Sequence, residues 1–141
     1  MSSKFMNSQV GKRAAKKRAW VAFSMYMRTF WNQGGSVPCY TCGNETVLKG
    51  RPGVRTMAGH WVEGHSAMTY VNEIYVRPQC YKCNMMMGGN QGEFRDRIRK
   101  ELGDKEVDRL LVESKKTLDV SVKEWLQKQA YYKEALAKLT T

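Results

Sequence analysis

Proline is nearly absent, with three residues in 141, and there are only two histidines. The first 44 residues contain no aspartate or glutamate. No apolar run approaches the ~20 residues needed to cross a bilayer, which excludes a helical membrane span. The N-terminus is basic but lacks the apolar stretch and small-residue cleavage site of a secretory signal. A soluble, cytoplasmic protein is the expectation. Cysteine is scarce too. Its four residues form two pairs, which in a reducing compartment point to metal ligation before disulfides.

What is present is positive charge and enough apolar matter for a core. Hydrophobic residues make up 42% of the chain and four are tryptophan, which argues against wholesale disorder. The formal charge of +11 points to a polyanionic partner. The pattern predicts a helix from about Val10 to Asn32, with Trp20, Phe23, Met27 and Phe30 on one face. Lys12, Arg13, Lys16, Lys17 and Arg18 crowd the turns before that face. Cations this dense with no acid nearby repel one another, so they read as phosphate contacts and not merely as a solvated face.

Composition divides the chain into a basic helical segment at 1–36, a Gly- and Cys-rich core at 37–92, and a helical region at 93–141. Within the core, Met57 to Trp61 and Tyr70 to Val76 are expected as short strands, with Glu63 to Ser66 a loop between them and a helix starting near Cys83. Met85-Met86-Met87 is expected to fill core space. Further on, Phe94, Ile98 and Leu102 stack along one helix that Gly103 stops. Asp104 is placed to cap a second helix carrying Val107, Leu110 and Leu111. A third is expected from about Asp119, with Val122, Leu126, Ala130 and Leu136.

Cys39-Tyr40-Thr41-Cys42 and Cys80-Tyr81-Lys82-Cys83 are separated by 37 residues. Each C-x-x-C turn can aim two sulfurs at one point, and two such turns complete a thiolate tetrahedron around structural Zn²⁺. A thioredoxin-like redox pair would need one C-x-x-C in a βαβ setting, which is missing here. Both histidines lie between the zinc half-sites: His60 in Ala58-Gly59-His60-Trp61, and His65 in the following loop. Asn84 follows the last cysteine directly, and Gly88-Gly89-Asn90 comes soon after. A strand histidine between zinc half-sites, with an asparagine after the final cysteine, is the layout of the ββα-metal (HNH-like) nuclease core. The chemistry fits that layout. A neutral histidine can take a proton from water, and one divalent ion, Mg²⁺ or Mn²⁺, can stabilise charge on phosphoryl and leaving oxygens. Asn84 offers an oxygen ligand to such a hard cation.

The chain resembles the NinG/Rap recombination proteins of lambdoid phages over most of its length. The resemblance is carried by Ala19-Trp20, Phe23-Ser24, Tyr26-Met27-Arg28, Cys39-x-x-Cys42-Gly43, Ala58-Gly59-His60, Gln79-Cys80-x-x-Cys83-Asn84 and Gly89-Asn90. Downstream, Phe94, Leu102-Gly103, Val107 and Leu110 agree as well. It implies an α+β, mainly helical fold with a zinc-stapled ββα-metal core flanked by the basic helix and C-terminal helices. It further implies a structure-selective endonuclease acting on branched DNA such as Holliday junctions and D-loops, in the cytoplasm of a bacterial host. Two departures stand out. The metal-binding Asp or His that usually precedes the catalytic histidine is Gly59 here, and the place of the middle asparagine is Tyr75, with Asn72 three positions away. His60 is therefore either general base or metal ligand; in the second case His65 or Glu63 must help with the proton. Asn84 and then Asn90 are expected to complete the site, although Asn90 after two glycines also reads as a turn residue.

Two other functions share part of this pattern. A zinc-dependent nucleobase deaminase needs H-x-E with P-C-x-x-C. His60-Trp61-Val62-Glu63 and Pro78-Gln79-Cys80 each miss that pattern by one residue, and Cys39 and Cys42 would be left idle. A zinc module that binds DNA or RNA without cutting fits the same charge and zinc signals. A homodimer would suit paired cuts at a two-fold junction, with the exposed faces of the C-terminal helices as its interface.

Overall fold

A computed structural model describes residues 10–64 and 66–141; His65 lies outside the described residues. The first helix, α1 (Lys12–Trp31), buries Ala15, Ala19, Ala22, Phe23 and Met27 at helical spacing. Three alanines on one stripe allow a neighbour to approach closely, and that neighbour is the last helix, α4 (Val122–Leu139). Trp125 and Tyr132 of α4 fill the seam, Tyr132 meeting Phe23 edge-on at 4.9 Å between ring centroids. The expected Trp20–Phe23–Met27–Phe30 face is thus turned toward the alanines: Trp20 is only partly buried and Phe30 is exposed. Asn32 ends α1, its Nδ2 donating to the Arg28 carbonyl at 2.8 Å and to Thr56 Oγ1 at 3.0 Å.

Four very short strands follow, beginning with the antiparallel pair β1 (Val37–Pro38) and β2 (Glu45–Thr46), which flanks the first cysteine pair. The second pair, β3 (Met57–His60) and β4 (Val76–Gln79), is also antiparallel, with Gly59 opposite Arg77 and His60 opposite Val76. The strand expected over 70–76 is therefore displaced. Glu73–Tyr75 forms a 3₁₀ turn whose cap, the Asn72 side chain, accepts the Ile74 N–H. Tyr70, Val71, Ile74 and Tyr75 are apolar because this irregular segment faces two cores, not because they are strand residues. Pro78 is tolerated inside β4 because the sheet has only two strands, and its carbonyl accepts the Tyr40 N–H at 2.8 Å.

After β4 the chain enters a π-helical turn, Lys82–Met86, which carries Cys83 and Asn84. Met85, Met86 and Met87 are 58%, 72% and 49% exposed, so they do not fill core space. Helices α2 (Gln91–Leu102) and α3 (Asp104–Ser114) meet at Gly103, whose φ of +88° suits glycine. Together they close a second core, Phe94, Ile98, Val107 and Leu110 packing over Trp61 and Tyr75. Tyr75 donates to the Leu110 carbonyl at 2.8 Å, and Trp61 Nε1 to the Ile74 carbonyl at 2.9 Å. Asp104 is the first residue of α3 and makes no side-chain cap; Gly103 holds that position. Helix α4 starts at Val122, three residues beyond Asp119, behind a capping box of Ser121 and Glu124. Ala130 is exposed and lies off the buried stripe of α4. The result is a mixed α+β, mainly helical protein. Among the described residues no helix is long and apolar enough to cross a membrane.

Candidate functional site

The strongest feature is the sulfur cluster. All four Sγ atoms of Cys39, Cys42, Cys80 and Cys83 lie within 4.8 Å of one another, and Cys42 and Cys80 are 3.7 Å apart. Zn–S bonds of ~2.3 Å in a tetrahedron set sulfurs roughly 3.8 Å apart, so the donor set and its spacing suit zinc. Backbone geometry aims them. The Gly43 N–H closes on the Cys39 carbonyl at 2.9 Å with Gly43 at φ +82°, and the Cys83 N–H points at Cys80 Sγ at 3.4 Å. Burial alone would raise the Cys39 thiol, but hydrogen bonds from the Thr41 hydroxyl and three backbone N–H groups hold it at about 6. Burial and neighbouring thiols push Cys80 up to about 12. Four thiolates within this distance of one another need a cation at their centre to offset their mutual repulsion. The arrangement also removes the deaminase reading, because Cys39 and Cys42 take the places a histidine would need beside Cys80 and Cys83.

Beyond the sulfurs, a cleft of about 330 Å³ brings His60 and Asn84 together, lined also by Glu63, Gly89 and Gln91. His60 sits at the end of β3, its ring stacked on Trp20 at 5.1 Å and on Tyr70 at 5.9 Å. Its Nε2 lies 3.0 Å from the Tyr70 carbonyl oxygen. A carbonyl can only accept, so Nε2 carries a proton, and in the neutral form of the ring the lone pair falls on Nδ1.

The Asn84 amide is oriented by a similar chain of constraints. Gln79, wholly buried, donates from Nε2 to the Gly89 carbonyl at 2.8 Å and to Thr41 Oγ1 at 3.2 Å. Its Oε1 must then be the atom that receives Asn84 Nδ2, at 3.2 Å. Asn84 is left with Oδ1 as the amide atom not held by Gln79. The Thr41 hydroxyl, having accepted from Gln79, also lies 3.3 Å from Cys39 Sγ. One hydrogen-bonded path therefore runs from the sulfur cluster to the candidate ligand Asn84.

Gly59 is glycine for the same reason. A Cβ there would stand 2.1 Å from Gln79 Oε1 and 3.0 Å from Asn84 Nδ2. The paired amides occupy the space that a side chain before the histidine would use. Gly59→Ala is therefore expected to cost about 2–4 kcal/mol in a urea melt, because a buried amide must leave its partners.

The remaining expected site residues are placed as follows. Asn90 adopts the left-handed conformation (φ 51°, ψ 50°) before α2 and donates from Nδ2 to Cys83 Sγ at 3.6 Å. It turns toward the sulfurs and does not line the His60 cleft. Tyr75 and Asn72 are spent on the Leu110 carbonyl and on the 3₁₀ cap. Sequence reasoning gives neither Gln79, quoted only as part of the resemblance, nor Gln91 a role in the site, since a lone glutamine carries no spacing signal. Gln91 Nε2 donates to the His60 carbonyl at 3.0 Å, while its Oε1 is buried without a partner among the described residues.

The basic cluster of α1 spreads over several environments. Lys12 pairs with Asp119, and Lys16 lies over the Tyr70 ring at 4.7 Å from its centroid. Arg13, Lys17 and Arg18 are exposed, with no carboxylate partner among the described residues. Lys17 and Arg18 line a groove of about 560 Å³ between α1 and α4 that Lys133 also lines.

A family model described as Bacteriophage Lambda NinG protein matches residues 7–141 of the chain. Among curated proteins and among solved structures, nothing matches.

Proposed function

Since the chain belongs to the bacteriophage lambda NinG protein family, we propose that it is a metal-dependent DNA endonuclease of the ββα-metal (HNH-like) kind. Its substrates are branched recombination intermediates, Holliday junctions and D-loops, met in the cytoplasm of a bacterial host. The observation that carries this reading is the meeting of His60 and Asn84 in one cleft, each with its polarity set by a neighbour. It is supported by an antiparallel β3–β4 pair that leads into the turn bearing Asn84, beside the sulfur cluster.

His60 acts as general base, its Nδ1 taking the proton from the attacking water while the Tyr70 carbonyl holds Nε2–H. Mg²⁺ or Mn²⁺, when bound, supplies charge stabilisation on the phosphoryl and leaving oxygens. The residues suited to hold it are Asn84 through Oδ1, Gln91 through its unpartnered Oε1, and Glu63 through its carboxylate. Amide and carboxylate oxygens are hard donors, which matches a hard cation. Gln79 fixes the Asn84 amide, and Trp20 and Tyr70 hold the imidazole plane.

The test is a labelled four-way junction incubated with the zinc-loaded protein, with and without Mg²⁺ or Mn²⁺. Cutting that requires the divalent ion supports the nuclease. A second reading, a zinc module that binds DNA or RNA without cutting, draws on Gly59 standing where a metal ligand is usual. Tight junction binding with no cleavage under any divalent ion would favour it.

Either reading requires a phosphate-binding surface, and α1 offers Arg13, Lys17 and Arg18. Charge reversal at these three is expected to weaken binding to all DNA shapes alike. The slope of log K against log salt should flatten by roughly 0.9 for each phosphate that is no longer neutralised, about 2–3 in total. Fluorescence anisotropy across a salt series checks this; a change confined to junction preference would make them readers of shape.

A further inference from the structure

A second cleft, of about 350 Å³, opens on the α1 side of Asn84 and is lined by Trp20, Ser24, Arg28, Arg55 and Asn84. Its two arginines have no carboxylate partner among the described residues. Arg28 is steadied along its own helix, Nε donating to Ser24 Oγ at 3.2 Å and to the Ser24 carbonyl at 3.3 Å. Neither contact neutralises its charge. Burial, and then the nearby charge of Arg55, lower the proton affinity of Arg28. Arg55 Nε is buried and has no hydrogen-bond partner among the described residues. Two half-buried guanidiniums that repel each other, one with an unused donor, are a costly arrangement that an anion would relieve.

We propose that Arg28 and Arg55 form a phosphate clamp that takes a backbone phosphate of the nucleic-acid strand entering the His60–Asn84 cleft. Guanidinium forks match phosphate oxygens in pairs, which a lysine cannot do. Place also argues for this ligand. Asn84 and Met85 line both clefts, so a strand lying in one continues into the other. The clamp rests on the nuclease reading for the identity of that strand, whereas the anion site stands on its own side chains. A phosphate seated there would fix the register of its neighbour over His60, as phosphate contacts position a duplex without reading sequence.

Two measurements test the clamp. In the first, inorganic phosphate is titrated into the zinc-loaded protein while the arginine Nε–Hε resonances are followed by NMR. In the second, junction binding without divalent ions is compared for wild type, Arg28→Gln and Arg55→Gln, with zinc content verifying that each variant is folded. The expected result is that the Arg55 Hε signal moves with phosphate. Each variant should also bind the junction on the order of tenfold more weakly, with a salt slope lower by about one. Hε signals unmoved by phosphate, with junction affinity unaltered in both variants, would overturn the clamp. Phosphate binding at Arg55 with unaltered junction affinity would make this a free-anion site and overturn the strand assignment. If wild type binds no DNA while phosphate still moves Arg55 Hε, the anion site stands and the nuclease reading falls.

Discussion

His60→Ala is expected to lower junction cleavage by about 10²–10⁴-fold, the usual contribution of a general base, while zinc content and junction affinity stay close to wild type. The size follows from the tautomer. With Nε2–H committed to the Tyr70 carbonyl, Nδ1 is the proton acceptor this imidazole offers, and no other described residue of the cleft is a base of comparable strength. Glu63 lines the same cleft and could serve as a weaker base, which leaves residual activity. The substitution also removes a ring packed against both Trp20 and Tyr70 and takes a hydrogen-bond donor from the Tyr70 carbonyl. A stability loss of about 1–3 kcal/mol should accompany it. His60→Phe separates the two effects, since it keeps the stacking. It should recover part of the stability and none of the rate. Single-turnover cleavage beside a urea melt measures both.

Stripping the metal, by a strong chelator or by Cys83→Ser, is expected to unfold the segment between the cysteine pairs. The strands there are two to four residues long and form only two-stranded sheets, which have marginal stability by themselves. Apparent affinities for structural zinc in zinc-finger peptides correspond to about 10–16 kcal/mol, comparable with or above the whole stability of a small domain, ~5–15 kcal/mol. The seam between α1 and α4 contains no cysteine and packs around Trp125 and Tyr132, so helical far-UV signal should outlast the near-UV signal of Trp61. Cleavage should vanish with the zinc, even in excess Mg²⁺. The hydrogen-bonded path from Cys39 through Thr41 and Gln79 to Asn84 begins at the cluster that the treatment dismantles. Circular dichroism in both wavelength ranges, followed by re-addition of zinc, checks the order of events.

Parts of this architecture are legible in the residues because they depend on short-range rules. The cysteine pairs converge because spacing and thiolate chemistry leave four sulfurs little else to do, and Gly103 breaks the helices where a positive φ is needed. Other parts depend on partners far away in the chain. Nothing near Lys12 announces Asp119, and nothing near Tyr70 to Tyr75 shows that their apolar character serves two cores from an irregular segment. The site divides along the same line. His60 and Asn84 stand out by residue type, whereas Gln79, Gln91 and Arg55 acquire meaning only from what the fold places beside them. Met85 to Met87 mislead because a polarisable apolar run looks like core until its turn is seen to face solvent. Gly59 is the instructive case. By pattern it marks a missing ligand, and by geometry it makes room for the amide pair that aims Asn84.

The most direct test is a crystal structure of the zinc-loaded protein soaked with Mn²⁺, read by anomalous scattering. The predicted result is a second ion in the His60 cleft, with Asn84 Oδ1 at roughly 2.2 Å, a usual oxygen–metal bond length. Gln79 should still hold Nδ2 on the other side. A cleft without an ion at saturating Mn²⁺, or an Asn84 amide turned so that Nδ2 faces the cleft, would contradict the account.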